Sequence, residues 1–102
     1  MPKVTKGAFI FIVPDADSTK HRAKVATPRL ELSVVGVKDL DDAVDVAKGL
    51  VAEGVQLIEL CAGFGPGGTD KIIEAVGGKI PIGSVSYGVE SSGKFLALIE
   101  AM

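Results

Sequence analysis

The fold is decided by residues 30–62, which read LELSVVGV (30–37), K (38), DLDDAVDVAKGLVAEG (39–54) and VQLIELCA (55–62). The first and last runs are apolar and rich in β-branched residues, a pattern typical of strands. Between them, Asp39 can cap a helix and Gly54 can end it. A strand, a helix and a second strand in this order predict two parallel strands joined by a right-handed crossover. The helix spacing is carried by Leu40, Ala43, Val44, Ala47, Leu50 and Val51.

The alternation of predicted strands and helices continues on both sides of this unit. Residues 8–13 and 80–87 read as further strands, and helices are expected at about 69–76 and after Ser91 or Ser92. A short helix is also expected from Ala16 to about Lys24, and Glu31 places the start of its strand near a sheet edge. We therefore expect one α/β domain over residues 1–102, with a four-stranded, mainly parallel sheet and three or four helices.

Composition narrows the classes of partner. The chain has 102 residues, a net charge of −2 and no Trp, which disfavours a nucleic-acid partner. No run approaches the ~20 apolar residues of a membrane span, so no membrane partner is expected. With Cys61 as the sole cysteine, we expect a cytoplasmic protein without an internal disulfide. A chain this small buries a modest share of its surface, which favours a homo-oligomer. No spacing indicates a metal site or a cofactor.

The candidate ligand site is the glycine-rich stretch GFGPGG (63–68), between the strand 55–62 and the next predicted helix. Backbone can approach a small anionic or polar ligand closely there, and a helix start offers free N–H groups. The spacing matches neither the dinucleotide fingerprint nor the phosphate loop, so a plain tight turn is the alternative. The predicted ligand-binding residues are Gly63, Phe64, Gly65, Gly67, Gly68 and, at the end of the following strand, Tyr87.

Two neighbouring side chains are candidates for catalysis. Glu59 lies in an apolar strand and is expected to be buried, where a carboxylate needs a partner or a raised pKa and suits acid-base chemistry. A hydrogen-bonded structural role or a place in a subunit interface is the alternative. Cys61 is expected on the same side of the strand, either as a reactive thiolate or as a small buried apolar residue. His21, the sole histidine, lies in a basic stretch and is expected to be solvated.

Two motifs carry a resemblance to known proteins. ELCAGFGP (59–66) and KIPIGSVSYG (79–88) resemble a family of short prokaryotic proteins of unknown function, over most of the chain. That family usually has glycine at the position of Ala62, and the resemblance implies no activity.

A weaker resemblance covers residues 42–101. This segment is similar to the opening βα units of the barrel aldolases that cleave 2-keto-3-deoxy-6-phosphogluconate. In those enzymes the glutamate that matches Glu59 serves as acid-base. Their Schiff-base lysine lies on a later strand that this chain does not possess.

Three functions remain open at this point. The first is a small-molecule-binding domain for an anionic or polar ligand, held at residues 63–68 and Tyr87. The second is a small lyase or isomerase that uses Glu59 as acid-base. The third is a structural or regulatory homo-oligomeric subunit. The sequence does not decide whether the protein is an enzyme.

Overall fold

The structure, a computed structural model, describes residues 3–102. Its sheet has the strand order β2-β3-β1-β4-β5, with every neighbouring pair parallel except β2 and β3. This confirms the prediction of an α/β domain with a mainly parallel sheet. The elements follow the chain as β1 (Thr5–Ile12), β2 (Arg22–Ala26), β3 (Leu30–Val37), α1 (Leu40–Ala52), β4 (Leu57–Leu60), a 3-10 helix (Ala62–Phe64), α2 (Gly65–Ala75), β5 (Ile82–Ser84) and α3 (Val89–Ala101).

The unit β3-α1-β4 forms as the sequence predicts. The Asp39 carboxylate accepts a hydrogen bond from the backbone N–H of Asp42, with 2.8 Å between N and Oδ1. Gly54, just beyond the helix, has a φ of 97°, a left-handed conformation that glycine adopts without steric cost. The face of α1 with helical apolar spacing is the buried one. Its buried residues are Ala43, Ala47 and Leu50.

The prediction of a helix from Ala16 to about Lys24 is wrong. The last residues of this segment belong to β2, so the sheet has five strands and not four. The backbone N–H of Asp17 donates to Nδ1 of His21 at 2.8 Å, which closes a turn just before β2. β2 then pairs antiparallel with β3, and Lys24 forms an ion pair with Glu31 at 2.7 Å. β3 is therefore not an edge strand. A free strand edge next to residues 22–26 outweighs the weak helical pattern of that segment.

The two faces of the sheet differ in what covers them. Alternate strand residues on one face are packed under α1 and α2 and are fully or almost fully buried: Ala8, Ile10, Val35, Val37, Ile58 and Leu60. The opposite face, here called the open face, consists mainly of Phe9, Phe11, Leu32, Val34, Leu57 and Glu59. Within residues 3–102, no helix packs across the open face.

Helix α3 extends away from this two-layer body. The molecule measures 46 × 27 × 27 Å, and a 13-residue helix is about 20 Å long, which accounts for the extra length. α3 contains no buried residue. Its one aromatic contact is local, since the ring of Phe95 stacks on Tyr87 with centroids 4.2 Å apart. The helix layer on the sheet therefore consists of α1 and α2, and α3 does not belong to it.

Candidate functional site at the carboxyl edge of the sheet

The glycine-rich stretch is helical over most of its length. α2 begins at Gly65, four residues earlier than expected, with Pro66 in its first turn. Gly65 has a φ of 64°, which turns the chain from the 3-10 helix into α2. Proline is favoured in the first turn because its missing N–H has no partner there anyway and its φ is already helical. The predicted loop is therefore a helix start.

Close packing explains part of the glycine pattern. A Cβ on Gly63 would lie 2.9 Å from Cγ2 of Ile12, and one on Gly68 would lie 3.3 Å from Cβ of Phe64. Phe64 itself is buried in the core. A Cβ on Gly67 would meet nothing within 4 Å. The same holds for Gly65, so these two glycines have open surroundings, whereas Phe64 is enclosed by the core.

The first turn of α2 has no capping side chain, whereas Asp39 caps α1. The first N–H groups of a helix lack partners within it, so they bind a side chain, water or a ligand. The neighbouring strand ends at the same edge, because the N–H of Val85 donates to the carbonyl of Leu60 at 2.9 Å. Tyr87 follows two residues later and is half exposed, with its ring against Phe95. The N–H of Gly65 donates to the carbonyl of Ala62 and Pro66 has no N–H, so only part of this first turn can offer donors to a ligand.

The predicted burial of Glu59 is wrong. Its neighbours Ile58 and Leu60 point under the helices, so the alternation of the strand places Glu59 on the open face, where it is exposed. Its backbone pairs with Phe9 on one side and Gly83 on the other. Within residues 3–102, the Glu59 carboxylate has no hydrogen bond and no ion pair. Burial of the carboxylate therefore no longer supports a role for Glu59 in acid-base catalysis.

Cys61 has different surroundings from Glu59. β4 ends at Leu60, so the regular alternation that would align the two side chains stops before Cys61. The Cys61 side chain packs against the core, and its Sγ accepts a hydrogen bond from the N–H of Ile12 at 3.4 Å. This contact joins the ends of β1 and β4. The half-buried Cys61 therefore packs against the core, and a reactive thiolate there stays a prediction.

Sequence reasoning missed a charged cleft of about 540 Å³ at the amino end of the parallel strands. The hydrogen bond and charge of Lys24 lower the pKa of the Glu31 carboxyl, and Glu31 in turn raises the pKa of Lys24. The cleft was missed because β2 was interpreted as a helix. Lysine and arginine at alternate positions of RAKVA (22–26), facing Glu31, were the available signal. The charged residues that line it are Lys6, Arg22, Lys24, Glu31 and Glu53.

The described residues hold no group of three histidine, cysteine, aspartate or glutamate side chains placed to bind a metal ion. None of the helices between residues 3 and 102 has the length and apolar character needed to cross a membrane.

The fold places the chain in the class of small α/β proteins. Its sheet is mainly parallel, and α1 and α2 cover one face of that sheet. The model of a family of unknown function, DUF6506, matches residues 5–100, and the chain belongs to that family. This confirms the resemblance drawn from residues 59–66 and 79–88 at the level of a family without known function. No curated protein and no solved structure matches the chain.

Proposed function

We propose that this protein works as a subunit of a homo-oligomer that assembles through the open face of its sheet. The observation that carries this proposal is a parallel sheet covered by helices on one face only. Parallel sheets are almost always covered on both faces, because their strands are apolar on both sides. The uncovered side chains here are phenylalanine, leucine and valine, which water solvates poorly.

The open face is shaped as a packed apolar surface. The ring of Phe11 lies over Gly36, so close that a Cβ there would be 2.5 Å from the ring. Leu57 and Leu32 converge over Gly7, at 3.2 and 3.6 Å from the position of a Cβ. Among the strands that the structure describes, Glu59 is the one charged side chain on this face. A large apolar patch of this kind marks an interaction surface.

Oligomeric state as a function of concentration tests the proposal. Light scattering or sedimentation of the wild-type protein should give a stable oligomer. Val25→Glu adds a charge at the β2 end of the open face, where Val25 pairs with Leu32 and its side chain is 61% exposed. We expect the fold of the subunit to tolerate this change. We expect this variant to dissociate. Val4→Glu, at an exposed valine just before β1, is the matched control and should assemble normally. A wild-type protein that is monomeric at all concentrations contradicts the proposal.

A second candidate function is binding of a small anionic or polar ligand at the carboxyl edge. The uncapped first turn of α2 supports it, with Gly67 open and Tyr87 at the neighbouring strand end. Gly63, Phe64, Gly65 and Gly68 shape the backbone there. Glu59 and Cys61 remain predicted catalytic residues only if turnover of a bound ligand is found and is lost in Glu59→Gln.

Thermal unfolding in phosphate, acetate and simple keto acids tests this second candidate. A ligand at about 100 times its dissociation constant adds about 2.7 kcal/mol, which raises the midpoint by several degrees. Gly67→Asp places a carboxylate at the helix start and should abolish the shift by repulsion. Gly49→Asp adds the same charge on the exposed side of α1 and should retain the shift. No shift with any of these compounds contradicts an anion site at this edge.

A further inference from the structure

We infer that helix α3 of one copy covers the open face of a second copy, and that the exchange is reciprocal. This inference rests on the proposed assembly through the open face and names the element that completes it. α3 is amphipathic, with apolar residues at i, i+3, i+4 and i+7, the spacing of one helix face: Phe95, Leu98, Ile99 and Met102. Phe95 stacks on Tyr87, but beyond it Leu98 is 62% exposed and Met102 81% exposed, so the rest of this face lacks a partner in the subunit.

The dimensions of the two surfaces match. α3 is about 20 Å long, and the eight-residue strands at the centre of the open face are each about 26 Å long. A helix laid along these strands therefore stays within the sheet. Helices that pack on a sheet bury one apolar stripe in this way, as α1 and α2 do on the covered face.

The position of α3 in the subunit favours a second copy as its partner. The helix follows the edge strand β5 after residues 85–88 and projects from the body. Tyr87, just before the helix, stacks on Phe95 near its middle. Each chain therefore carries one unpartnered helix face and one unpartnered sheet face. A two-fold exchange satisfies both faces in both chains and closes the assembly as a dimer.

Charge complementarity agrees with this pairing. Glu59 is the charged side chain within the open face, and Lys94 is the only basic residue of α3. Lys94 borders the apolar stripe, one helical turn before Leu98, and is exposed. In the dimer, Lys94 of one copy pairs with Glu59 of the other. Such a pair contributes mainly to orientation and register.

A matched pair of charge substitutions on α3 tests the inference. Leu98→Glu places a carboxylate on the apolar stripe, whereas Ala97→Glu places it on the opposite side of the same helix. Neither residue is buried in the subunit, so circular dichroism should show both variants folded. We expect Leu98→Glu to be monomeric by light scattering and Ala97→Glu to match the wild type.

The outcomes separate this inference from the proposed function. If Val25→Glu dissociates while Leu98→Glu still assembles, the open face is an interface but α3 does not cover it, and the inference is overturned. If the wild type is a monomer and Leu98→Glu lowers its melting temperature, α3 covers its own sheet, which overturns both. Loss of assembly in Leu98→Glu and Val25→Glu alike supports both.

Charge reversal tests the register. Glu59→Lys and Lys94→Glu should each weaken the dimer about tenfold, the effect of losing about 1.4 kcal/mol, because each leaves two like charges facing across the interface. The double variant restores the opposite charges and should recover most of the affinity, measured by sedimentation equilibrium. A double variant no tighter than the single ones overturns this placement of α3.

Discussion

The two faces of the sheet differ in the solvent exposure of their side chains. On the covered face, Ile10 and Ile58 have no solvent exposure and lie under α1 and α2. On the open face, Phe9 and Leu57, their neighbours in the chain, remain partly exposed. Both sets are apolar, so composition does not separate the two faces. The subunit therefore supplies a helix layer for only one of the two apolar faces of its sheet.

We expect the largest loss of stability when a residue of the covered face is truncated, and a smaller loss for its neighbour on the open face. Ile58→Ala should reduce the free energy of unfolding by about 2–5 kcal/mol, since it leaves a cavity in a closed core. Leu57→Ala should cost clearly less in a monomeric Leu98→Glu background, because its side chain is partly solvated. Urea unfolding of both variants in that background makes the comparison. Equal losses would mean that the open face is buried within the subunit.

The next effect probes the packing of the open face itself. Gly36→Ala places a methyl group against the ring of Phe11, which must move, at an expected cost of about 1–3 kcal/mol. Gly83→Ala in β5 meets nothing within 4 Å and serves as the control. Thermal unfolding should show a loss only for Gly36→Ala. Combining it with Phe11→Leu should remove part of the loss, and a loss unaffected by Phe11→Leu would contradict the ring contact.

We expect a smaller loss of stability when the N-terminal cap of α1 is removed. Asp39→Ala removes the side chain that caps α1 and should cost about 1 kcal/mol. Asp41→Ala, in the exposed first turn of the same helix, removes an equal charge without removing the cap. Chemical denaturation of the two variants separates the cap from the charge. If both lose the same stability, the hydrogen bond from Asp42 contributes nothing beyond electrostatics.

We expect the smallest effect in the charged cleft, at the amino end of the covered face. Lys24 lowers the pKa of Glu31 through a hydrogen bond and its charge, so this contribution to stability is present above the ordinary pKa of glutamate. It is lost as the pH falls through the lower pKa of the folded state. Melting temperatures from neutral to acid pH should converge for wild type and Glu31→Gln. A constant difference across that range would show that the pKa shift does not stabilise the fold.

The sequence predicted part of the candidate site and misjudged the rest for identifiable reasons. It located the carboxyl edge of β4 and a helix after it, but it placed the start of that helix at about residue 69, four residues too late. It did not predict that Gly65 begins α2, because glycine is a poor helix former and the decisive feature is Pro66 in the first turn. It also placed Glu59 in the interior, because a strand with apolar residues on both faces does not reveal which face is covered.

Local signals are enough to specify the β3-α1-β4 unit, because the Asp39 cap, the helical spacing and the end at Gly54 are all encoded in neighbouring residues. Local signals do not specify that residues 22–26 join the sheet, because this pairing depends on the free edge of β3, which exists only once the parallel sheet has formed. Only the tertiary structure likewise decided that one apolar face stays open and that α3 projects. Burial depends on which elements meet in space, and periodicity shows only which residues share a face.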